Sequence, residues 1–412
     1  MSTYTEFLEY EGCDIYPEDD NYTEKLLEFA KKFRYFDEAL TEFMCEQGYA
    51  GDVTNIDEKV SFLRKKFEVA SIEVPRNLKK WFTEHIRVKR TTAFQICFAF
   101  GLDVKETNDF FRRIYLERGF DCHYIEEAIY YYGIKHSLSY KEVKELVLKA
   151  PKPKKEKIDF SKEILFTSSI VDEIDRFQNT KDLMKFFEEN ISQFGYNSAT
   201  AYKYMNEIWS KIAVPNGLAI KEKNELFFDV FTSEKEKKRK VPSNEKQPSV
   251  WEIYLQILGF DKEMISVLQT DRSITPILKG NVLLHTVAQE SFPDRAGIQS
   301  ILIGEHISCE RVRKMMILLV FYKFWVTCAL KRKDATYRAE PGEADRCLSE
   351  INKYLKDAGY PAMYLGNPFD WVFMYAMQDE FPLATFREFM HELFVMKEDE
   401  LDINKKYEIE KQ

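Results

Sequence analysis

The fold of this chain is best inferred from residues 76–147. After Arg76 they read NLKKWFTEH at 77–85, RVKRTTAFQICFAFGLDVKETNDFFRRIYLERGF at 87–120 and DCHYIEEAIYYYGIKHSLSYKEVKELV at 121–147. Apolar residues recur every three to four positions, which is the spacing of amphipathic helices. Only a few residues separate one periodic segment from the next. The stretch therefore predicts a series of short helices joined by tight turns.

Local signals in this stretch predict where its helices end. Gly101 follows an apolar segment, at a position where a helix end favours a left-handed glycine. Asp103 is then a predicted N-cap, and Glu106 three residues later completes a capping box. Ser139 and Glu142 repeat the same signature. Compact helices with such short connections are typical of helix-turn-helix domains.

Length and composition indicate a folded helical protein with more than one domain. At 412 residues the chain exceeds the usual size of a single hydrophobic core. Glycine and proline are scarce, with 15 and 13 residues, and no alternating strand pattern of any length is evident. We therefore predict an all-α, multi-domain protein with a helix-turn-helix-like N-terminal domain and a C-terminal helical bundle.

The negative charge is concentrated at the N-terminus. Residues 1–50 carry thirteen Asp or Glu against four Lys or Arg, and the remainder carries 56 of each sign. The net charge of −9 thus does not exclude nucleic-acid binding by later parts of the chain. It also suggests the hypothesis that the acidic N-terminus folds against a basic stretch, so that deletion of residues 1–20 would raise DNA affinity.

Changes in composition divide the chain into seven predicted segments. Two of them are linkers, one rich in Pro and Lys and the other strongly polar with a KKRK run. The predicted segments are an acidic helical segment (1–56), a helix-turn-helix-like domain (57–149), a linker (150–158), a middle helical unit (159–232), a basic linker (233–249), a C-terminal helical domain (250–397) and a charged tail (398–412).

Further helix caps are predicted outside the central stretch. Thr180 and Ser198 are expected to cap helices of the middle unit, and Ser308 a helix of the C-terminal domain. Asn367 is expected to cap a further helix, because Pro368 follows it at the favoured first helical position.

The longest apolar run, Met315–Leu330, is expected to be a buried helix rather than a membrane span. It is shorter than the roughly 20 residues that a span needs, and Lys323 lies in its middle. The seven cysteines include no CxxC pair, and no apolar leader precedes the first domain. These features favour a reducing, cytoplasmic location without membrane association.

Basic residues around the NLKKWF segment are the candidate DNA contacts. A DNA-reading helix carries basic or amide side chains at its exposed N-terminal end. The helix after Gly101 begins with Asp103, Glu106 and Asp109, which repel phosphates. Residues 76–90 meet the requirement, although a solvated basic face of an ordinary helical bundle is an alternative. The predicted contacts are Arg76, Asn77, Lys79, Lys80, Arg87, Lys89 and Arg90, with Asn77 as the candidate for reading a base edge.

Residues 57–148 resemble lambda-repressor-type (XRE-like) helix-turn-helix regulators of low-GC Gram-positive bacteria. The resemblance rests on the order of a helix, the KKWF helix, a basic loop ending in Arg90, an apolar helix, the GLD turn and a helix with an acidic start. It implies that NLKKWF is the recognition helix and that FGLDVKETNDFF belongs to the closing helices. The glutamine-containing positions typical of that family's DNA-contacting helices are not evident here.

The C-terminal phrases RKMMILLVFYKFW and YLGNPFDWVFMYAM resemble uncharacterised companion regions of the same kind, which imply no activity. No GxGxxG, GxxxxGK[ST], HExxH or GxSxG motif is present, and the six histidines are scattered. Cys122 and His123 are neighbours whose side chains point apart on a helix. We therefore expect no catalytic residues, bound metal or cofactor.

A run of three tyrosines, Tyr130, Tyr131 and Tyr132, occurs in the last third of the central stretch. Helical geometry spreads consecutive side chains around the axis, so at least one is expected to be exposed. An exposed tyrosine would suit a partner surface.

The preferred hypothesis is a non-enzymatic bacterial regulatory protein that contacts double-stranded DNA through residues 76–90. Its C-terminal domain, 250–397, would form a homo-oligomer or receive a protein partner. The alternative is a helical interaction or adaptor protein, for example of a mobile-element or phage-defence locus, whose helix-turn-helix-like domain no longer binds DNA.

Overall fold

A computed structural model describes most of the chain. Helices and their connections make up this part, and it contains no strand, so the predicted all-α class is confirmed. The described residues are 3–12, 14–153, 167–195, 199–226, 248–260, 292–293, 295–305, 309–333 and 342–390.

The helices before residue 160 are short and closely spaced, as the central stretch predicts. They are α1 (Thr3–Gly12), α2 (Tyr22–Ala30), α3 (Phe36–Glu46), α4 (Ile56–Val69), α5 (Leu78–Thr83), α6 (Arg90–Phe100), α7 (Val104–Phe110), α8 (Ile125–Lys135) and α9 (Tyr140–Lys149). A π-helical turn, Phe111–Tyr115, continues α7.

The later helices include the longest one, α16. They are α10 (Thr167–Ile174), α11 (Thr180–Glu189), α12 (Ala199–Ala213), α13 (Leu218–Lys221), α14 (Val250–Leu258), α15 (Arg295–Leu302), α16 (Cys309–Arg332), α17 (Glu343–Asp357) and α18 (Pro368–Ala376). A 3-10 turn, Ile191–Gln193, follows α11, a second π-helical turn, Glu222–Leu226, follows α13, and residues 382–390 are also helical.

The helix ends of the central stretch are those that the sequence predicts. Gly101 has a φ of 65° and ends α6 in the left-handed conformation. The Asp103 carboxylate accepts from the Glu106 backbone N–H at 2.7 Å, and the Glu106 carboxylate accepts from the Asp103 N–H at 2.9 Å. Ser139 and Glu142 form the same reciprocal pair at the start of α9. Both predicted capping boxes are therefore confirmed.

One predicted cap is wrong by a single residue, and another is confirmed. Asn179, not Thr180, caps α11, because its side-chain oxygen accepts from the backbone N–H groups of the two residues after Thr180. Asn367 caps α18 with Pro368 at the first helical position, as predicted. Ser198 and Ser308 lie outside the described residues.

Two hydrophobic cores organise the described helices. The first core consists of buried residues from 36–194, which belong to α3–α11. The second core combines buried residues from 8–33 with others from 201–390. These cores do not coincide with the predicted segments, because α1 and α2 pack with the C-terminal helices and the middle unit is divided between the cores.

The N-terminal helices are held on the second core by aromatic packing. The ring of Trp371 lies 4.6 Å from that of Phe29 and 5.9 Å from that of Phe33, between centroids. The Tyr375 hydroxyl donates to the Ile15 carbonyl oxygen at 2.7 Å. Aromatic packing and this hydrogen bond therefore attach the N-terminal segment to the second core.

Helix α16 is the centre of the second core. Its residues from Val312 to Tyr322 are all buried, and it packs against α12 and α17. The predicted burial of the Met315–Leu330 run is confirmed. Among the described residues, no helix combines the length and apolar character that crossing a membrane requires.

The prediction of an exposed tyrosine in the 130–132 run is wrong. Tyr130, Tyr131 and Tyr132 are all at least nine-tenths buried. Helix α8 packs against α7, α9 and α10, which surround it. Phe94 lies 5.0 Å from Tyr130, and Phe120 lies 5.2 Å from Tyr131, between ring centroids. The run is therefore part of the first core and provides no partner surface.

Replacement of Trp371 tests how strongly the N-terminal helices are attached. Trp371→Ala removes a ring that is 2 % exposed and leaves a cavity beneath α2. We expect the free energy of unfolding in urea to fall by about 3–5 kcal/mol. The matched variant Phe381→Ala removes an aromatic ring that is 60 % exposed, and should change stability by less than about 0.5 kcal/mol. Equal effects of the two substitutions would contradict this packing.

Candidate functional site

Helix α5 separates apolar from polar side chains. Leu78, Trp81 and Phe82 are buried in the first core, at a spacing that places them on one side of the helix. Lys79 and Lys80 are exposed between them. The residues just before α5, Arg76 and Asn77, are exposed as well. The apolar side therefore anchors α5, and its polar side faces solvent.

The two lysines of α5 lie close to carboxylates. Lys79 Nζ is 2.8 Å from Asp57 Oδ1, which belongs to the first turn of α4. Lys80 Nζ is 3.0 Å from Glu84 Oε1, one helical turn further on. All four side chains are exposed by about half or more. Exposed pairs of this kind are weak, so a phosphate group can replace the carboxylate as the partner of either lysine.

Two of the predicted contacts, Arg87 and Arg90, form internal ion pairs. Arg90 donates from Nε and Nη2 to the two carboxylate oxygens of Glu127, each at 2.7 Å. Arg87 Nη2 lies 2.6 Å from Glu117 Oε1 and also donates to the Tyr115 carbonyl oxygen at 2.7 Å. Bidentate pairing holds a guanidinium in one orientation. Arg87 therefore attaches the basic loop to the segment between α7 and α8, and Arg90 attaches it to α8.

The structure thus divides the seven predicted residues into two sets. Arg76, Asn77, Lys79 and Lys80 lie together at the start of α5, and Lys89 is exposed just before α6. Arg87 and Arg90 pair instead with Glu117 and Glu127, which come after α7 in the chain. Sequence alone does not separate these sets, because Glu117 and Glu127, the partners of Arg87 and Arg90, are 30 and 37 residues away from them.

A second group of charged residues, which the sequence analysis did not identify, lies where the two cores meet. The Arg118 backbone N–H donates to Glu310 Oε1 at 3.4 Å. The Cys309 thiol donates to Asp121 Oδ2, also at 3.4 Å. These contacts join residues about 190 positions apart. They link the segment after α7, in the first core, to the start of α16 in the second. We call this group the junction.

The backbone has an unusual course where it enters the junction. The helix that follows Gly101 continues as a π-helical turn at Phe111–Tyr115, and Leu116 then adopts the left-handed conformation with a φ of 57°. A bulky residue at positive φ is strained, and π-helical turns are frequent at functional sites. The Leu116 carbonyl oxygen accepts from Asn367 Nδ2 of the second core at 3.4 Å.

Two buried ion pairs lie at the junction, one within each core. Arg313 Nη1 and Nη2 donate to the two carboxylate oxygens of Asp370 at 2.8 and 2.7 Å, and both side chains are at most 2 % exposed. Arg118 Nη1 lies 3.2 Å from Asp121 Oδ2, with both side chains 1 % exposed. Removing one member of a buried pair leaves an uncompensated charge in a low-dielectric environment.

A small cavity opens between the cores beside the Arg313–Asp370 pair, with room for about one water molecule. Its walls come from both cores. Those from the first core are Arg112, Leu116 and Glu117, and those from the second include Arg313, Tyr364 and Asn367.

Burial shifts the pKa values of two groups in and near the junction. It raises the pKa of Glu310, against the opposing effect of Arg313, and so favours the neutral carboxyl group. It lowers the pKa of His123, although the neighbouring Asp121 charge opposes the shift. His123 is fully buried, and its Nδ1 donates to the Gln193 carbonyl oxygen at 3.1 Å. This bond attaches the 3-10 turn after α11 to the first core.

Within the part of the chain that the structure describes, no three His, Cys, Asp or Glu residues are grouped so that they could hold a metal ion. Comparison of the chain with protein-family models, with curated proteins and with solved structures finds no match in any of the three.

Disruption of the Arg313–Asp370 pair tests its structural role. Arg313→Met leaves the Asp370 carboxylate buried without its partner, and we expect the free energy of unfolding to fall by about 3–5 kcal/mol. Lys331→Met, on the exposed end of the same helix, should change it by less than about 0.5 kcal/mol. The double variant Arg313→Met/Asp370→Leu should recover part of the loss, because no buried charge remains. Wild-type stability of Arg313→Met would contradict this role.

The buried histidine makes an acid-dependent contribution to stability. The lowered pKa of His123 means that the unfolded chain binds a proton more readily, so stability is full above pH 6.5, the ordinary pKa, and is lost as pH falls below it. Carboxylates also titrate, so wild type is compared with His123→Asn in urea unfolding between pH 7.5 and 5.5. As pH decreases, the free energy of unfolding should fall more steeply for wild type than for His123→Asn. Parallel curves would show that His123 titrates as it does in the unfolded chain.

Proposed function

We propose that this protein is a non-enzymatic regulatory protein that contacts double-stranded DNA through the exposed side of α5 and the residues beside it. The observation that supports this most directly is the division of α5 into two sides. Leu78, Trp81 and Phe82 fix the helix in the first core, while Lys79 and Lys80 remain exposed.

The local charge also favours a polyanionic partner. Residues 57–90 carry ten Lys or Arg against five Asp or Glu, in a chain whose net charge is −9. Phosphate neutralisation by clustered basic side chains supplies most of the affinity of proteins for DNA. The resemblance of residues 57–148 to bacterial helix-turn-helix regulators suggests the same partner.

Each exposed residue has a defined role in this proposal. Arg76, Lys79, Lys80 and Lys89 pair with backbone phosphates, which positions the protein without reading sequence. The Asn77 side chain makes no capping hydrogen bond to α5, so its amide is available for a base edge. In a modification of the sequence hypothesis, Arg87 and Arg90 hold the loop in place through Glu117 and Glu127.

A second candidate function is protein docking by the same domain. It is favoured by the carboxylates of Asp57 and Glu84, which lie within 3.0 Å of the two lysines and repel phosphate. In this alternative the protein is an adaptor, and any DNA binding is weak, insensitive to sequence and abolished by salt. In both cases we propose that residues 250–397 provide the oligomerisation or partner surface.

Fluorescence anisotropy with two duplexes distinguishes these functions. One duplex comes from the region upstream of the gene, and the other is a scrambled sequence of equal length. We expect the first to bind more tightly, and Lys79→Glu/Lys80→Glu to weaken that binding at least tenfold. Because each lost phosphate contact reduces the salt dependence by about 0.9, the slope of log K against log salt should become shallower by about two.

The matched control is Lys181→Glu/Lys185→Glu, which makes the same change in charge on two exposed lysines of α11, outside both α5 and residues 250–397. It should leave DNA affinity within about twofold of wild type, because screened charges outside the contact act weakly. Equal weak binding to both duplexes, or equal losses in the two variants, would refute DNA recognition by α5 and favour the docking function.

A further inference from the structure

Residues 115–121 contact both the basic loop that ends at Arg90 and the second core. We call them the connecting segment, because they lead from the end of the π-helical turn after α7 towards α8. Leu116 in this segment has a φ of 57°. A bulky residue keeps such a conformation only where its surroundings hold it. The course of the segment therefore depends on the contacts that it makes.

Hydrogen bonds attach the basic loop to the connecting segment. Arg87 Nη2 donates to the Tyr115 carbonyl oxygen at 2.7 Å, and its guanidinium carbon lies 4.3 Å from the centroid of the Tyr115 ring. The Tyr115 hydroxyl in turn donates to the Val88 carbonyl oxygen at 3.1 Å. Arg90 Nη1 donates to the Arg118 carbonyl oxygen at 2.8 Å. These bonds fix the position of the loop relative to the segment.

The second core binds the same segment at neighbouring atoms. Asn367 Nδ2 donates to the Leu116 carbonyl oxygen at 3.4 Å, and the Arg118 backbone N–H donates to Glu310 Oε1 at the same distance. The Arg118 guanidinium carbon lies 4.6 Å from the centroid of the Tyr360 ring. Arg118 is 1 % exposed, and a cation–π contact is strongest where water is excluded. Arg118 therefore contacts the loop through its carbonyl group and the second core through its N–H group and side chain.

We propose that the connecting segment couples the second core to the basic loop, so that weakening the contacts at the junction releases the loop. Energetic coupling between two sites requires an element that both sites hold in one of its states. The strained turn at Leu116 is such an element. Its own carbonyl group accepts from Asn367 of the second core, and the preceding carbonyl group, of Tyr115, accepts from Arg87 of the loop.

This coupling gives the proposed function a route of regulation. The loop carries Lys89, one of the proposed phosphate contacts, and residues 250–397 are the proposed partner surface. A partner that displaces the second core at the junction would therefore weaken DNA binding without touching α5. This consequence rests on the proposed function, whereas the coupling itself can be measured without DNA.

The first test changes the second core and observes the loop. Asn367→Ser keeps a favoured N-cap for α18 and removes the donor to Leu116. Limited trypsin digestion of the full chain is followed by mass spectrometry at the three tryptic sites of the loop, Arg87, Lys89 and Arg90. Cleavage of a folded protein reports how often the cleaved region opens. We expect cleavage in the loop to be about threefold faster than in wild type, an effect of the size that one lost hydrogen bond produces.

The matched control makes the same substitution at another N-cap. The Asn179 side chain caps α11, in the first core, by accepting from the N–H groups of Lys181 and Asp182. Asn179→Ser should leave cleavage in the loop as it is in wild type. An unchanged rate in Asn367→Ser, or an equal rise in Asn179→Ser, would overturn the proposal. A rise shared by tryptic sites throughout both cores would mean global unfolding and would also contradict it.

The second test changes the loop and observes the junction, because coupling between two equilibria is reciprocal. Arg87→Met removes the guanidinium that binds Tyr115. The Cys309 thiol, which donates to Asp121 Oδ2, reports on opening of the junction. We expect iodoacetamide to alkylate Cys309 at least threefold faster in Arg87→Met than in wild type, as measured by mass spectrometry. Arg64→Met, on an exposed residue of α4, is the control and should react as wild type. Equal rates in all three proteins would show that loop and junction open independently.

A third measurement separates the coupling from the proposed function. A duplex that binds the closed loop should slow Cys309 alkylation, by up to about tenfold at a duplex concentration ten times the Kd. A bound duplex that leaves the Cys309 rate unchanged would refute the coupling and not the DNA contact. Wild type that binds no duplex, with both variant effects present, would refute the DNA contact and support the coupling.

Discussion

Hydrogen bonds at the junction connect the two hydrophobic cores, from Arg118 to Glu310, from Cys309 to Asp121 and from Asn367 to Leu116. Apolar surfaces alone can slide against each other, because the hydrophobic effect has no direction. The Arg313–Asp370 pair is bidentate and almost completely buried, so it fixes α16 against α18 within the second core, at the surface that meets the first core. The Arg118–Asp121 pair lies in the same region, with contacts from Arg118 and Asp121 to the start of α16. The junction therefore specifies an arrangement that apolar packing leaves open.

The second core combines residues that lie far apart in the sequence. The second core needs Phe29 and Phe33 from the N-terminus as well as Trp371 near the C-terminus. It therefore cannot be complete until both ends of the chain are present, whereas the first core consists of residues 36–194 alone. Contacts between such distant residues slow folding, because a long loop must close before they form.

The sequence predicts well those features that depend on neighbouring residues. Gly101, the Asp103–Glu106 box and the Ser139–Glu142 box follow from backbone geometry within a few positions. The burial of α16 follows from its apolar composition. The prediction was wrong for the tyrosines of α8, because neighbouring helices cover residues 128–134 of α8. The periodicity of one segment does not show how many neighbours it has.

The candidate sites also show that the local sequence does not reveal partners that lie far away in the chain. The exposed lysines of α5 are recognisable because a basic residue between apolar positions on a short helix must face solvent. Arg90 has the same charge and lies ten residues away, yet it pairs with Glu127, and only the fold brings that carboxylate to it. The junction is even harder to recognise from the sequence, because its members come from segments about 190 residues apart. No local pattern marks Arg313 as the partner of Asp370.

The contacts at the junction should join the two cores into one cooperative unit. The most direct test is urea unfolding of protein labelled with 5-fluorotryptophan, followed by fluorine-19 NMR. Trp81 reports on the first core, and Trp371 and Trp325 report on the second. If the cores form one cooperative unit, all these resonances lose their folded signal at the same urea concentration. Loss of the Trp81 signal at a clearly different concentration from the others would contradict it, because the cores would then unfold independently.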